Sequence, residues 1–562
     1  MAKIHTLKIN NYRCIEEFEH VFKDNSFVCL IGRGDSGKST LLQAISAVLS
    51  PSWDYRFYDT DFFNGDTDNP IIIEASLYDL PSDLLKESKF GLYKRILKSN
   101  NEIIDDISTE GAEGKDLLTI RLTVESDLEP KWHVINGREN QEDIEIRASD
   151  RAKLNTYIIT DYIDRHFSWG KGSPLYSLLK RDGEEIDTDK IIVDANRGAY
   201  ERINNPEIFE PFSILLDRIK VFAQGLGLSM EALKALIDFK NFLVKEGSIT
   251  LHDENNIPIR LKGKGTKRLL SIAIQLALAT VEGGIILIDE VEQGLEPDRV
   301  KFLVKRLKEI NNGQVFITTH SNNVLVELEY KDIFLKKEGG GGLVVFDDSF
   351  QGCLRNNPNA FFSRRVIVCE GATEVGICRA LNDHRIATEK RSLELGAISL
   401  VDGTGAGFVD YCFKFKEAGF DVCAFCDSDD TAINLKKERL IEHGINVVDC
   451  DVEKSIEQQI FNDLPWNKVI GLLKYVKDTS GEQSVFDRLS IRSLDELEDI
   501  KETRGLIGQK AKGTGSNNKN SWFKRTDHGE ELGRAWFGSL NEIEGTRLKR
   551  QYEDLINWVD RI

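Results

Sequence analysis

The chain has 562 residues, more than one hydrophobic core normally supports, so its length predicts two or three domains. Its 93 acidic and 74 basic residues give a formal net charge of −19, which argues against a generally basic nucleic-acid coat but allows a local basic channel. The sequence has neither a signal-peptide pattern nor an apolar run of membrane length, so we expect a soluble, cytoplasmic protein with no membrane partner.

The nine cysteines are scattered among apolar neighbours, as is typical of small core residues in a reduced protein. Cys423 and Cys426 have CxxC spacing but no second pair follows them. A packed strand is therefore favoured over a zinc or redox site at this position.

The strongest local motif lies near the amino terminus. Phe27–Ile31 is solidly apolar and predicts a buried strand, and residues 40–49 have helical character. Between them lies GRGDSGKS (residues 32–39), so strand, glycine-rich turn and helix follow one another as a phosphate loop requires. The glycines let backbone N–H groups point at phosphate oxygens beside a helix N-terminus. We predict that Lys38 reaches the β- and γ-phosphates and that Ser39 supplies a hydroxyl to Mg²⁺.

The next part of the chain carries weaker signals. Strands are predicted at 71–77 and 117–124, and apolar residues at helical spacing recur near 150–166 and over 207–246. We interpret about 145–245 as a helical insertion, which would be either a dimerisation element or ordinary helices packed on the sheet. No heptads extend over several repeats, which excludes a long coiled coil.

A second group of motifs begins at residue 263. GKGTKR (263–268) opens a predicted helix at 269–281 and is a further anion site. The run IILIDE (285–290) predicts a strand covered on both faces that delivers Asp289 and Glu290 into a ligand crevice. GLEP (294–297) follows, and a further strand over 314–319 ends at His320.

These spacings resemble the ATPase head of ABC and SMC-like proteins. The resemblance implies that Asp289 positions Mg²⁺, that Glu290 polarises the attacking water and that His320 senses the γ-phosphate. It also implies that the 263–268 turn caps the ATP of a second head, and hence a homodimer or higher homo-oligomer. The implied ATP-binding residues are Gly32, Gly34, Gly37, Lys38, Ser39, Thr40, Asp289 and His320.

Two features depart from that family's pattern. The signature turn lacks the Leu-Ser-Gly-Gly-Gln form, and no clear Q-loop glutamine follows the phosphate loop. Asp61 is a candidate for the Q-loop region. Arg13 occupies the place of an arginine near the nucleotide in related heads, although an ordinary surface arginine fits equally well.

A second α/β pattern follows residue 365. The run KKEGGGG (336–342) predicts a hairpin or flexible turn, and residues 351–364 look like an interdomain linker. Three predicted strands then end at Glu370, Asp402 and Asp427. Because an open sheet places its ligands at the carboxyl ends of its strands, acidic side chains should converge there on one or two hard cations, Mg²⁺ or Mn²⁺. Acidic helix caps are the alternative. The predicted metal ligands are Glu370, Glu374, Asp402, Asp427 and Asp429.

This constellation resembles the Toprim domain of topoisomerases, primases and nucleases. A Toprim domain at 365–562, after an ABC-type head at 1–350, resembles the OLD (overcoming lysogenization defect) nucleases. The resemblance implies that Glu370 and Asp427 are catalytic and that they bind metal together with Glu374 and Asp429. Asp402 and Glu457 are weaker candidates for this metal site.

The resemblance also implies a late lysine that stabilises the scissile phosphate, for which we favour Lys524. Around it, residues 510–525 form a basic patch in which Trp522 and Phe523 lie between cations, as expected of a surface that holds a nucleic-acid backbone. A solvated basic loop is the alternative. The cations of this patch are Lys510, Lys512, Lys519, Lys524 and Arg525.

The predicted fold class is therefore α/β: an ABC-type P-loop ATPase head with a helical insertion, followed by a Toprim domain. The implied function is an ATP-binding, divalent-metal-dependent DNA endonuclease of bacterial anti-phage defence, in which the head gates cleavage. One alternative is a Toprim toxin that cuts RNA or tRNA. Another is an SMC-like, ATP-gated DNA clamp with a non-catalytic Toprim fold. A partner protein encoded elsewhere is compatible with each of them.

Overall fold

A computed structural model describes residues 2–105, 114–139, 141–160, 163–170, 173–181, 209–237, 249–310, 312–339, 341–405, 407–513 and 521–561. The chain divides into two compact units, Met1–Val345 and Phe346–Ile562, and each has its own sheets. None of the helices in these ranges has both the length and the apolar character needed to cross a bilayer.

A six-stranded sheet carries the phosphate loop of the first unit. Its strands are, in spatial order, Thr156–Ile159, Ile285–Ile288, Gln314–Thr318, Phe27–Ile31, Ile333–Lys336 and Leu343–Val345. The first five are parallel, and the last pairs antiparallel with its neighbour as the predicted hairpin. Ile285–Ile288 is wholly buried, as predicted for a strand covered on both faces. Parallel strands end at the same edge, so the residues that follow three of these strands meet there.

An eight-stranded antiparallel sheet forms the second layer of this unit. Its strands are Lys3–Tyr12, Ile15–Val21, Ile71–Tyr78, Arg95–Leu97, Ile103–Ile104, Lys115–Val124, Pro130–Ile135 and Ile144–Glu145. The helix Lys38–Val48 contacts strands of both sheets, and Leu41 and Ile45 share one apolar cluster with Ile73 and Phe316. Burial of the apolar side of this helix fixes the position of the phosphate loop at its N-terminus.

The prediction of a helical insertion at 145–245 is wrong at two segments, which form strands. Thr156–Ile159 (TYII) is an edge strand of the six-stranded sheet, and Leu233–Ile237 pairs antiparallel with Ile249–Asp253. Thr156–Ile159 contains β-branched and aromatic residues that fit a pleated surface, and its partner Ile285–Ile288 comes from distant sequence. Leu233–Ile237 (LKALI) has no such composition, so its strand form depends on its pairing with Ile249–Asp253. The predicted helix over 207–246 shortens to Ser213–Gly225. Parts of the predicted insertion, 182–208 and 238–248, lie outside the described residues. The remaining α-helices among the described residues of this unit are Ala148–Arg151, Pro174–Arg181, Lys264–Glu282, Pro297–Lys308 and Asn322–Leu325.

The second unit is built on a four-stranded parallel sheet. The strands lie in the order Ile398–Asp402, Arg365–Cys369, Asp421–Cys426 and Asn446–Asp449. Cys423 and Cys426 are buried free thiols of the third strand, as expected for a packed strand. The helices are Gln351–Asn356, Ala372–Ala387, Phe408–Glu417, Thr431–Glu442, Ile456–Asp463, Trp466–Ser480, Glu482–Leu489, Lys501–Lys512, Thr526–Phe537 and Arg547–Val559.

The stretch interpreted as a linker at 351–364 is ordered structure. It contains the helix Gln351–Asn356 and a helical turn at Pro358–Phe362. Phe361 is fully buried, with its ring 5.9 Å from that of Phe350 and 5.7 Å from that of Phe415. Its aromatic side chains bury apolar area, so the segment belongs to the core of the second unit.

Candidate functional sites

The phosphate loop joins the strand Phe27–Ile31 to the helix Lys38–Val48. Gly32 and Gly37 have φ values of 143° and 94°, a region that residues with a Cβ rarely adopt. A Cβ on Gly32 would also lie 2.4 Å from the carbonyl oxygen of Lys336. Lys38 Nζ donates to the carbonyl oxygens of Gly32 (3.0 Å) and Arg33 (2.6 Å), so the ammonium lies within the loop.

The charge state of Lys38 reflects this position. Burial lowers the pKa of Lys38 to about 8, although the negative charges of Asp289 and Glu290 act in the opposite direction. Burial, followed by the positive charge of Lys38, lowers the pKa of His320. The four predicted residues therefore lie within electrostatic range of one another.

Asp289 and Glu290 follow the strand Ile285–Ile288, as predicted. Asp289 Oδ1 accepts hydrogen bonds from Ser39 Oγ at 2.9 Å and from Thr318 Oγ1 at 2.6 Å. Thr318 Oγ1 in turn accepts from the backbone N–H of Glu290 at 2.7 Å. Glu290 has a φ of 47° and an exposed side chain, so its carboxylate points away from the packed sheet. Thr318 has no role in the sequence motifs, yet it orients both acidic residues.

Glu292 organises the loop that carries His320. Its carboxylate accepts from the backbone N–H of His320 at 2.6 Å and from Thr319 Oγ1 at 2.7 Å. The only sequence signal for this residue is its place two positions after Glu290. The structure thus fastens the end of the strand Gln314–Thr318 to the loop after Ile285–Ile288.

The 263–268 turn opens the helix Lys264–Glu282, as predicted. Buried Arg268 donates to the backbone carbonyls of Thr160 (2.9 Å), Asp289 and Glu290 (3.1 Å). A Cβ on Gly265 would lie 2.4 Å from the carbonyl oxygen of Gly294. The turn therefore packs against the Asp289–Gly294 loop of its own head, and its role toward a second head stays a prediction.

Arg13 and Asp61 bind each other. Arg13 Nε lies 2.7 Å from Asp61 Oδ1, and the backbone N–H of Arg13 donates to the carbonyl oxygen of Asp61 at 2.7 Å. The other carboxylate oxygen of Asp61 accepts from the N–H of Tyr58 at 3.0 Å. Asp61 is buried while Arg13 is partly exposed, so the aspartate fixes a loop near the phosphate loop.

The second site lies at the carboxyl edge of the four-stranded sheet. Glu370 Oε2 accepts from the backbone N–H of Asp427 at 3.0 Å, which ties the ends of two neighbouring strands together. Glu374 Oε2 accepts from the N–H of Gly371 at 2.9 Å, and Asp427 Oδ1 from the N–H of Ile456 at 2.7 Å. Glu374 and Asp427 are 3 % and 5 % exposed, so these carboxylates lie inside the protein.

Burial and mutual repulsion raise the pKa values of three carboxyl groups in this cluster. Burial, with the charges of Glu457 and Glu370, raises the pKa of Glu374 to about 8, although Lys524 opposes the shift. The same causes raise the pKa of Asp427 well above its usual range, with Glu374 the largest of the charges. Burial raises the pKa of Glu370 as well.

Lys524 is the cation of this cluster. Its Nζ lies 3.4 Å from Oε1 of Glu457, a fully buried side chain. Burial alone would lower the pKa of Lys524, but the charges of Glu457, Glu374 and Asp427 raise it above its usual value. Sequence reasoning ranked Glu457 as a weaker candidate, and the structure brings it to the centre of the cluster.

The donor set fits a hard divalent cation. Glu374 Oε1 and Glu457 Oε1 are buried and accept no hydrogen bond among the described residues, although Glu457 Oε1 forms the ion pair with Lys524. Carboxylate oxygens of this kind are the donors that Mg²⁺ and Mn²⁺ prefer. Among the described residues, however, no three His, Cys, Asp or Glu side chains are already grouped as a metal site. Glu370, Glu374 and Asp427 each place one carboxylate oxygen on a backbone N–H.

The two other predicted ligands lie differently. The charge of Asp429 acts on Glu370, and its carboxylate pairs with Lys512. Asp402 Oδ1 accepts from the backbone N–H of Thr404 at 2.8 Å, and its charge acts on Tyr411. Asp429 therefore lies close enough to the acidic cluster to affect Glu370. The carboxylate of Asp402, by contrast, binds the loop that follows it.

The aromatic residues beside Lys524 have a structural role. Trp522 and Phe523 are 3 % and 0 % exposed and belong to the core of the second unit. The carbonyl oxygen of Phe523 accepts a hydrogen bond from Thr373 Oγ1 at 2.8 Å. The interpretation of these rings as part of a nucleic-acid surface is therefore wrong, because the core covers them. Lys519 lies outside the described residues.

The fold and the two sites define a P-loop nucleotide-binding protein that carries a second, acidic α/β site. Residues 27–327 match the family described as "AAA domain, putative AbiEii toxin, Type IV TA system", and the chain belongs to that family. Residues 361–429 match "Overcoming lysogenization defect protein-like, TOPRIM domain". These matches confirm the resemblance read from the sequence: an AAA-type ATPase domain is joined to an OLD-like TOPRIM domain.

Comparison with solved structures gives SMC heads. One is an Smc head bound to the C-winged helix domain of ScpA, with 17% identity and a TM-score of 0.38 over 61% of this chain and 97% of that one. Another is the SMC head domain from Thermotoga maritima, with 13% identity and a TM-score of 0.29 over 61% and 99%. A comparison with curated protein sequences found no match.

Proposed function

We propose that this protein is an ATP-binding DNA endonuclease that depends on a divalent metal and whose ATPase unit controls cleavage. The observation that carries the proposal is the burial of Glu374, Asp427 and Glu457 around Lys524, with the half-buried Glu370 beside them. Burying several like charges opposes folding, so such clusters are typical of sites where the charges take part in chemistry.

Each residue of the cluster has a role in phosphodiester hydrolysis. When bound, Mg²⁺ or Mn²⁺ would activate water and polarise the phosphate. Glu374 would hold the cation through Oε1, which accepts no hydrogen bond from the described residues, and Glu457 would do so beside its ion pair with Lys524. Glu370, Asp427 and Asp429 would complete the set of acidic residues. Lys524 keeps its proton because the surrounding carboxylates raise its pKa, so it can stabilise negative charge on the scissile phosphate.

In the ATPase unit, Lys38 and the loop N–H groups would bind the phosphates of ATP. Ser39 and Asp289, which already share a hydrogen bond, would hold Mg²⁺, and exposed Glu290 would orient water. His320 would contact the γ-phosphate. Pairing of two heads through the 263–268 turn would make ATP binding a switch within a homodimer. The TOPRIM match to proteins named for a lysogenization defect supports an anti-phage role in the cytoplasm.

The test is plasmid cleavage during titration with Mg²⁺ or Mn²⁺, with and without ATP. Asp427→Asn should abolish cutting while the protein stays folded, and Asp478→Asn, an exposed aspartate of the same unit, should cut like wild type. Lys38→Ala should remove the effect of ATP on cutting. The same assay would be run with cellular RNA. If RNA is degraded while the plasmid stays intact, the protein is an RNA-cleaving enzyme and the proposal of a DNA endonuclease is wrong. Full biological activity of Asp427→Asn would favour a non-catalytic clamp.

A further inference from the structure

Glu290 has a left-handed backbone conformation, with a φ of 47°. Residues with a Cβ rarely adopt this conformation, and it persists only where neighbouring groups determine it. The strand Ile285–Ile288 is wholly buried whereas the side chain of Glu290 is exposed, so the backbone at Glu290 decides where the carboxylate points. The contacts of the two peptide groups that flank Glu290 therefore bear on the role proposed for this carboxylate in ATP hydrolysis.

Two residues bind all four polar groups of these peptide units. Arg268 donates to the carbonyl oxygens of Asp289 and Glu290, the second at 3.1 Å. Thr318 accepts from both N–H groups: its Oγ1 lies 2.7 Å from the nitrogen of Glu290, and its carbonyl oxygen lies 3.0 Å from that of Val291. The φ and ψ torsions of Glu290 relate these two peptide units, so Arg268 and Thr318 together set them.

Arg268 is itself fixed in position. It is 2% exposed, and its guanidinium also donates at 2.9 Å to the carbonyl oxygen of Thr160, which follows the edge strand Thr156–Ile159. A guanidinium presents several N–H groups in one plane, so a single side chain can bind three carbonyl oxygens in a fixed geometry. Arg268 therefore holds the backbone of Glu290 against the neighbouring strand.

The turn that leads to Arg268 has a second contact with the loop after Glu290. A Cβ on Gly265 would lie 2.4 Å from the carbonyl oxygen of Gly294, and one on Gly294 would lie 3.0 Å from the Cβ of Lys264. The two backbones thus touch directly. Lys264 is exposed, so a partner that binds this end of the turn acts on a segment that is joined to the Glu290 loop at two places.

We infer that Arg268 is a positioning residue for ATP hydrolysis, which holds the backbone of Glu290 so that its carboxylate orients the attacking water. In that step the water oxygen bonds to the γ-phosphorus as the bond to the bridging β–γ oxygen breaks, which gives ADP, inorganic phosphate and a released proton. The inference rests on the hydrolytic role proposed for Glu290 and is independent of the nuclease. Arg268 also joins the 263–268 turn to Glu290, so a second head bound at the turn would act on the same carboxylate.

The test separates the rate of hydrolysis from the binding of ATP. Arg268→Gln should lower the kcat for Mg²⁺-ATP roughly 10- to 100-fold, because the carboxylate is displaced, and should leave the calorimetric Kd for Mg²⁺-ATP unchanged. Arg268→Lys keeps a buried cation without the planar fork, so it should give an intermediate kcat, and it serves if the glutamine variant does not fold. Sedimentation with ATP should show the wild-type oligomeric state in both variants, because Arg268 is buried within its own head.

Arg151 provides the matched control in the same unit. It is also 2% exposed, and it donates to the carbonyl oxygens of Ser50 (2.7 Å), Ile146 (2.6 Å) and Ser52 (2.8 Å), none of which belongs to the ATP site. Arg151→Gln should therefore lower the melting temperature as Arg268→Gln does, yet keep the wild-type kcat.

The outcomes for the ATPase and for the nuclease are distinct. A wild-type kcat in Arg268→Gln, an equal fall in Arg151→Gln, weaker Mg²⁺-ATP binding by Arg268→Gln or a change in its oligomeric state would overturn the inference. A wild-type protein that binds ATP without hydrolysing it would overturn the inference as well. A failure of the wild type to cleave plasmid would contradict the proposed nuclease and would leave the comparison of kcat values unaffected.

Discussion

Ser39 Oγ donates a 2.9 Å hydrogen bond to Asp289 Oδ1, although the two residues lie 250 positions apart. The contact joins the phosphate loop to the end of the neighbouring acidic strand through the sheet order of Phe27–Ile31, Gln314–Thr318 and Ile285–Ile288. Both side chains offer oxygen to the same point, which is the arrangement that Mg²⁺ bound to a nucleotide requires. The pair therefore links two motifs that sequence alone shows only separately.

Asp289→Asn should remove the negative charge of this site while preserving its hydrogen bonds. The amide oxygen can still accept from Ser39 and Thr318, so the melting temperature should change by less than about 3 °C. The loss of negative charge should weaken Mg²⁺-dependent ATP binding at least about tenfold. Isothermal titration with ATP, with and without Mg²⁺, measures this, and Asp298→Asn in the first turn of Pro297–Lys308 is the control. Unchanged Mg²⁺-ATP affinity would contradict the assignment.

The sequence could predict this site because its parts are local. The strand, glycine-rich turn and helix of the phosphate loop follow one another within about twenty residues, and the IILIDE run carries its own burial pattern. Thr318 could not be predicted, because a threonine at the end of a strand has no distinctive signal. Its role depends on which strand lies next to Ile285–Ile288, and only the tertiary fold decides that.

Lys437 binds the loop that carries Asp427 of the second site. Its Nζ donates to the carbonyl oxygen of Asp427 at 3.0 Å, to Ser428 Oγ at 2.9 Å and to Asp449 Oδ2 at 2.8 Å. Lys437→Met keeps the length of the side chain but leaves these acceptors without their donor. We expect a stability loss of roughly 2 kcal/mol and weaker cleavage, because the backbone of Asp427 loses its anchor.

The neighbouring residue provides the matched control for this prediction. Lys436 is exposed on the same helix, so Lys436→Met should leave both the melting temperature and the cleavage rate near those of wild type. Calorimetry and the plasmid assay measure the two effects. Equal behaviour of the two variants would show that Lys437 does not position the Asp427 loop.

The sequence predicts the acidic residues at the strand ends of the second unit, but it does not predict which residues pack around them. Glu370 and Asp427 follow apolar runs that mark buried strands. Lys437 sits in a helix whose other lysine is solvated, and periodicity alone does not tell which of them turns inward. Likewise, Trp522 looks like a stacking residue among cations until the core cluster that covers it is known.

His20 should make the first unit sensitive to acid. Its ring lies 4.9 Å from that of Phe22 and 5.6 Å from that of Phe334, and burial followed by the charge of Lys23 lowers the pKa of His20 to about 4. The unfolded chain binds a proton near pH 6.5, so between pH 6.5 and 4 the unfolded state holds more protons. The contribution of neutral His20 to stability is therefore present above pH 6.5 and is lost as the pH falls toward 4.

Substitution isolates this contribution. His20→Phe keeps an aromatic ring without a titrating group. Between pH 6.5 and 4.5 its free energy of unfolding, measured by denaturation, should fall by on the order of 1–2 kcal/mol less than that of wild type. His443→Gln, at an exposed position of the second unit, should follow the wild-type curve. Parallel curves for His20→Phe and wild type would exclude His20 as a source of acid sensitivity.

Glycines allow two helices of the second unit to cross closely beside Lys524. A Cβ on Gly529 of Thr526–Phe537 would lie 2.3 Å from the carbonyl oxygen of Thr373, and one on Gly376 of Ala372–Ala387 would lie 2.1 Å from that of Thr526. The helix Thr526–Phe537 starts two residues after Lys524, and the helix Ala372–Ala387 carries Glu374. Their separation therefore sets the distance between the cation and the carboxylates.

Gly529→Ala should force these helices apart, because the methyl group meets backbone that cannot rotate away. We expect a stability loss of roughly 2–3 kcal/mol and a loss of cleavage. Gly471 lies in the helix Trp466–Ser480 with no atom within 4 Å of a built Cβ, so Gly471→Ala should instead stabilise the protein by about 0.5–1 kcal/mol and preserve cleavage. Denaturation and plasmid cleavage of both variants measure the difference. If Gly529→Ala is as stable and active as Gly471→Ala, close helix crossing does not position Lys524.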